Sequence, residues 1–381
     1  MAFGGGSSGS AALTAHTHNQ TLAGDGGQLS QTLTDMNGVT LYSEITDNSA
    51  AVAANTAAIG VNTAAIAAIP PAATAADVDI LIYTSNWQIA LNGFAGAYHN
   101  VAWASSLNLF AAVTAGTSGV MTSPDGLTWT QRSTPNKGWK DLVWSDSQSL
   151  FVGIGENGQG VMSSTDAITW TSRTPSNTNF YMGVAYAPSL NLFCSVASTG
   201  TGDRVSTTPD GITWTTRTSA ADNTWEDVAW SEDLTLFCAV SSDGTNRVMT
   251  SPDGITWTSR TAAEANQWKD VIWSPELTLF CAVAQSGTNR VMTSPDGITW
   301  TARTAAAANQ WDSITWSPQL GAFCAVATSG TGDRIMTSPD GITWTSRISN
   351  NNNWEGITWS PELNVFCAVS GLGPSNDAMI S

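Results

Sequence analysis

Ser251-Pro252-Asp253-Gly254-Ile255-Thr256-Trp257 is the stretch from which the rest of the chain can be read. It returns at 123–129, 294–300 and 338–344, and in looser form at 164–170 and 208–214. Pro presets φ, Asp bonds to the backbone beyond it and Gly accepts positive φ, so the centre of the stretch is a turn. Strand formers flank it, Arg247-Val248-Met249-Thr250 before and Ile255-Thr256-Trp257-Thr258 after, so each copy reads as a β-hairpin. A hairpin returning at a fixed period makes the fold itself a repeat.

Working outward, one unit runs from Trp268 through Trp273 and the apolar run Leu279-Phe280-Cys281-Ala282-Val283 to the turn and Trp300. The second aromatic of each Trp-x4-Trp pair falls at Trp103, Trp144, Tyr186, Trp230, Trp273, Trp316 and Trp359. These steps suit four strands plus turns, the size of a propeller blade, and predict a mainly β, seven-bladed β-propeller over 79–381. Three aromatic slots per unit take up all 18 Trp, with Tyr98, Tyr181 and Tyr186 filling the rest. Burying one indole removes ~150–250 Å² from water, on the order of 4–6 kcal/mol gross, so the Trp are expected to bind blade to blade. The last unit stops at 377–381, where its fourth strand is due, while 80–87 is a strand with no partners before it. Trp87 precedes Tyr98 by the same step that separates Trp257 from Trp268. The segment ending at Trp87 is therefore expected to lie beside Met379 and Ile380, completing the last blade and leaving no free edge.

Ahead of the repeats, residues 1–50 form a Gly-rich polar attachment arm, 51–69 a short helix and 70–78 a linker opened by Pro70-Pro71. Val52, Ile59 and Ile66 recur every seven residues, with Asn55, Asn62 and Ile69 three later, the heptad of a parallel homotrimeric coiled coil. The alternative is a single Ala-rich helix packed on its own domain. His16 and His18 in one strand point to one side, so three chains on an axis would offer six imidazoles to a metal ion; otherwise they are two exposed histidines in the arm.

Composition excludes several classes. A net charge of −17 leaves no basic surface for nucleic acid. No stretch approaches the ~20 apolar residues of a membrane span, and the start of the chain has neither the basic nor the apolar region of a secretory signal. Cys194, Cys238, Cys281, Cys324 and Cys367 fall at one phase of the repeat, too far apart to bridge, and read as buried free thiols.

The Ser-Pro-Asp-Gly-x-Thr-Trp phrase resembles a shortened Asp-box (BNR-type repeat) of sialidase-like propellers. The order of His-x-His arm, Asn-bearing coiled coil and distal β domain resembles phage tail-fibre and spike proteins. That resemblance implies an anion ringed by Asn55 and Asn62 on the threefold axis, attachment to other virion proteins through 1–50, and residence on the virion. A sialidase needs an arginine triad and a tyrosine nucleophile, yet all ten arginines sit at repeat phases and three tyrosines fill Trp slots. Glu156 and Glu264 are unmatched, but nothing marks them as a pair. The chain is therefore expected not to be an enzyme. The loops joining second to third and fourth to first strands vary and share one face, where recognition usually resides. Phe94, Lys137, Glu156, Phe180, Asn223, Asn266, Asn309 and Asn352 are its candidate receptor-binding residues. The expected function is a non-catalytic virion appendage whose head binds a host-surface glycan or protein, the alternatives being an architectural virion decoration or fibre knob and a glycan depolymerase.

Overall fold

The computed structural model describes residues 87–90, 97–114, 119–135, 138–155, 160–371 and 378–381. They form seven four-stranded antiparallel sheets. Six are continuous in sequence: Tyr98–Arg132, Trp139–Arg173, Tyr181–Arg217, Trp225–Arg260, Trp268–Arg303 and Trp311–Arg347, blades one to six. The seventh takes three strands from Trp354–Ser360, Val365–Ser370 and Ala378–Ile380 and its fourth from Gln88–Ile89. First strands of neighbouring blades pack on one another, and that of blade seven packs on that of blade one, which closes the ring.

The repeated turn works as its residues require. Asp253 Oδ1 accepts from the N–H groups of Ile255 and Thr256, both at 2.8 Å, and Ser251 Oγ donates to the same carboxylate at 2.9 Å. Trp257 Nε1 donates back to Gly254 O at 3.2 Å. Gly254 sits at φ 70°, and a Cβ there would lie 2.9 Å from Leu192 of the preceding blade, so glycine serves both the turn and the close approach.

Hydrophobic clusters run across the blade boundaries. Cys238, Val240 and Val248 of blade four pack with Trp268, Phe280 and Met292 of blade five. Trp139, Trp225, Trp268, Trp311 and Trp354 are fully buried, each completing such a junction. The five cysteines are free and buried, and burial pushes the thiols upward.

The seam joins the expected partners with a small shift. Gln88 pairs with Ile380 and Ile89 with Met379, while Trp87 packs in the cluster containing Met379, Trp354 and Trp359. The described pairing residues follow Trp87, as Thr258–Arg260 follows Trp257, rather than leading up to it. The arm, the coiled coil and the linker lie outside the described residues. Among the described residues no helix is long and apolar enough to cross a membrane.

Candidate functional site

Each first strand carries a β-bulge directly after its leading aromatic residue. In blade five Trp268 pairs with Ala284 and Asp270 with Val283, leaving Lys269 as the extra residue between them. The same shift occurs in all seven blades. A bulge re-aims a side chain, and here two consecutive residues line the axial space in five of the blades instead of one. The outer position holds His99, Lys140, Met182, Glu226, Lys269, Asp312 and Glu355, with no two neighbours alike. The inner position holds Asn100, Asp141, Gly183, Asp227, Asp270, Ser313 and Gly356. Gly183 is required there because an added Cβ would lie 2.6 Å from Asp227 Cα.

Charge is paired around the outer ring. Lys269 Nζ lies 2.7 Å from Glu226 Oε2, and His99 Nδ1 lies 2.6 Å from Glu355 Oε2 and 3.4 Å from Lys140 Nζ. Burial works against the Lys269 charge, but Glu226, Asp312 and Glu355 outweigh it and hold the ammonium above the ordinary lysine range. Burial raises the Asp312 carboxyl, opposed by Lys269 and Lys140; Gln285 Nε2 donates to the same group.

The inner ring staples blades together. Asp141 accepts from Val184 N at 2.8 Å and Leu142 N at 2.7 Å, and Asn100 donates to it. Asp227 accepts from Val271 N at 3.1 Å, and Asp270 from Ile314 N and Ser313 Oγ, both at 2.8 Å. Burial pushes Asp141 up to about 7 despite these donors. Asp227 rises well above the carboxylate range through burial and the adjoining Asp270, since like charges so close are relieved when one carboxyl keeps its proton. The axis thus carries two carboxyls, Asp141 and Asp227, held above the ordinary range, behaviour that marks candidate working groups.

The two ends of the channel differ. The charged mouth, on the face of the variable loops, encloses about 50 Å³. Beyond the inner ring the channel widens into a chamber of about 360 Å³, lined by Ala102, Val143, Ile272 and Thr358 and by aromatic residues including Trp144 and Tyr186. Both spaces touch Asn100, Asp141, Asp227, Asp270 and Ser313, which form the waist between them.

No protein-family model and no curated protein sequence matches this chain. Solved structures do. A virginiamycin B lyase from Staphylococcus aureus is 10% identical at TM-score 0.65, over 77% of this chain and 97% of its own. A catalytically inactive variant of that lyase with quinupristin is 11% identical at TM-score 0.66, over 77% and 97%. YCF48 from Cyanidioschyzon merolae is 15% identical at TM-score 0.59, over 78% and 98%. The fold is a seven-bladed β-propeller, and such identities establish that alone.

These structures correct two expectations. The reading as a non-catalytic virion appendage with a receptor-binding head is overturned: the structural neighbours include a lyase, and nothing in these structures points to a tail fibre. The exclusion of enzymatic activity falls with it, because an enzyme carries this fold. The physical reason lies in where asymmetry was sought. The arginines and turn aspartates do repeat, but the departure from sevenfold symmetry sits on the axis, one and two residues after each leading aromatic.

The residues proposed from sequence are placed differently from one another. Phe180 is 36% exposed on the variable-loop face. Asn223, Asn266, Asn309 and Asn352 are buried instead of presented to solvent. Asn223 Nδ2 donates to Asn246 O at 2.5 Å and Asn309 Nδ2 to Asp333 O at 2.9 Å, and Asn266 donates to Asn289 O. These amides close off loop carbonyls that would otherwise be buried without a donor. Glu264 is likewise a loop brace, accepting from Asn289 Nδ2 at 2.7 Å. Phe94, Lys137, Glu156, the His16/His18 metal pair and the Asn55/Asn62 anion and trimer core lie outside the described residues. Among the described residues no group of three or more His, Cys, Asp or Glu side chains is arranged to hold a metal ion.

The axial residues were missed because alternation in a regular strand puts Lys269 and Asp270 on opposite faces, and the bulge cancels that. The available signal was the column itself: aligned on the leading aromatic, the next position reads His99, Lys140, Met182, Glu226, Lys269, Asp312, Glu355.

Proposed function

We propose that this chain is an acid–base enzyme acting on a small organic molecule held on the propeller axis. Asp227, raised by burial and by Asp270 beside it, and Asp141 carry the protons, and Lys269 and Lys140 provide positive charge beside them. The observation supporting this most directly is Asp141, a carboxyl pushed up to about 7 on the axis of a ring whose seven scaffolds are otherwise alike. A group with a pKa near the working pH is present in both protonation states and can give or take a proton. That a lyase shares the fold shows the architecture to be compatible with catalysis.

The test is a panel of esters, lactones and β-substituted carbonyl compounds incubated with the protein from about pH 5 to 9 and read by mass spectrometry. The reading expects turnover of at least one class, falling about 100-fold in Asp227→Asn and in Asp141→Asn. Urea unfolding of each variant separates lost chemistry from lost fold. Turnover that survives both substitutions, or a panel recovered wholly unchanged, overturns the proposal.

A further inference from the structure

The chamber is built as a binding pocket in its own right. Its volume, about 360 Å³, falls within the ~300–1,000 Å³ of small-molecule sites, whereas the charged mouth has room for only a few atoms. Its walls are mixed: Ala102, Val143, Ala185 and Ile272 give apolar side chains, Thr315 and Thr358 polar ones, and the second aromatic of several blades stands towards its open end. That end faces the side of the repeated turns, because strands one and two, like three and four, connect there.

The aromatic walls are held in place. Trp273 Nε1 donates to Asp233 at 2.9 Å and Trp103 Nε1 to Glu362 at 2.5 Å, each acceptor coming from the preceding blade around the ring. Trp230 donates to Glu232 of its own blade at 2.6 Å. The indoles are fixed before any ligand arrives, which lowers the ordering cost of binding. At the opposite, inner end the floor consists of Asp141, Asp227 and Asp270 with Asn100 and Ser313. Lys140 and Lys269 line the mouth and, among the described residues, no lysine or arginine lines the chamber.

A chamber with apolar side chains along one stretch of its wall and carboxyls at its floor has a defined complement. We infer that the chamber takes an organic monocation, an amine or quaternary ammonium with a hydrocarbon or aromatic body. The cationic head rests on the Asp227 and Asp270 floor, displacing to solvent the proton that Asp227 otherwise keeps, and the body lies along Ala102, Val143 and Ile272. Entry is from the face of the repeated turns. This deepens the catalytic reading by naming its substrate class, and because binding is measured without turnover the two fail separately.

The experiment is calorimetric titration of the full chain with benzyltrimethylammonium, its neutral carbon isostere neopentylbenzene, and benzoate. The cation is expected to bind at least about tenfold more tightly than the isostere, with benzoate weakest. Ala102→Phe, which fills the chamber wall without touching the floor, is expected to abolish cation binding while the urea midpoint stays near wild type. Asp227→Asn is expected to reduce the preference for cation over isostere. Equal affinity for cation and isostere, no binding of any of the three, or binding that survives Ala102→Phe overturns the inference. Cation-selective binding with no turnover of the panel leaves the chamber standing and removes the enzyme; turnover without cation preference does the reverse.

Discussion

The aspartates of the repeated turns and those of the axis are the same side chain in opposite circumstances. Burial works against the charge of Asp253, but the N–H groups of Thr256 and Ile255 and the Ser251 hydroxyl outweigh it and hold the carboxyl below its usual range. Asp125, Asp166, Asp296 and Asp340 behave alike, as does Asp210, where the Thr213 N–H is the largest influence. On the axis, burial and neighbouring carboxyls win, and Asp141 and Asp227 are raised. The turn positions recur with almost no change and make the ring; the axial positions vary from blade to blade and give it a particular chemistry.

The hardest way to break this division is to mutate two adjacent residues that fall on either side of it. Trp268→Ala empties a fully buried slot between blades and is expected to cost about 3–5 kcal/mol in urea unfolding. Lys269→Met, one residue on, removes the partner of Glu226 from a site open to channel water and is expected to cost about 2 kcal/mol, with turnover lost. Equal costs, or activity surviving in Lys269→Met, would dissolve the distinction between scaffold and site.

A pH series sharpens it. The turn aspartates have folded pKa values below 3.8, so their contribution is present above that value and disappears as pH falls through the lowered ones. Asp141 has the opposite sign: its folded value of about 7 exceeds the unfolded one, so its contribution is complete below the unfolded value and is lost as pH rises through about 7. Stability is therefore expected to peak between these limits, and Asp141→Asn should flatten the decline on the alkaline side by about 2 kcal/mol, read from urea midpoints across the series.

The smallest effect tests the repeat alone. The turn after each first strand places one residue in the left-handed region: Thr278 at φ 47° in blade five, Gly321 at φ 58° in blade six and Asn364 at φ 56° in blade seven. A β-branched residue is poorly suited to that conformation. Thr278→Asn should raise stability by about 0.5–1 kcal/mol without changing axial binding.

The blades were legible because turn chemistry, strand formers and aromatic spacing agree in every copy from Ser123 to Trp344. The seam was legible from a missing strand at one end and an orphan at the other, off only in which side of Trp87 pairs. The site was not, since it depends on a bulge: nothing in Trp268-Lys269-Asp270 read alone says that both polar side chains reach the axis. The asparagines misled for a related reason. Asn223 and Asn309 sit in variable loops, but backbone carbonyls there need donors, and these amides turn inward to supply them.

Six blades can each be completed from neighbouring stretches of chain, but the seventh cannot. Gln88 and Ile89 have no ladder partner until Met379 and Ile380 have been synthesised, so the ring stays an open crescent until the seventh blade has emerged. Its last event is a single long-range loop closure, the slowest kind of contact to find. That same two-residue ladder is where strain on the closed ring would first be released.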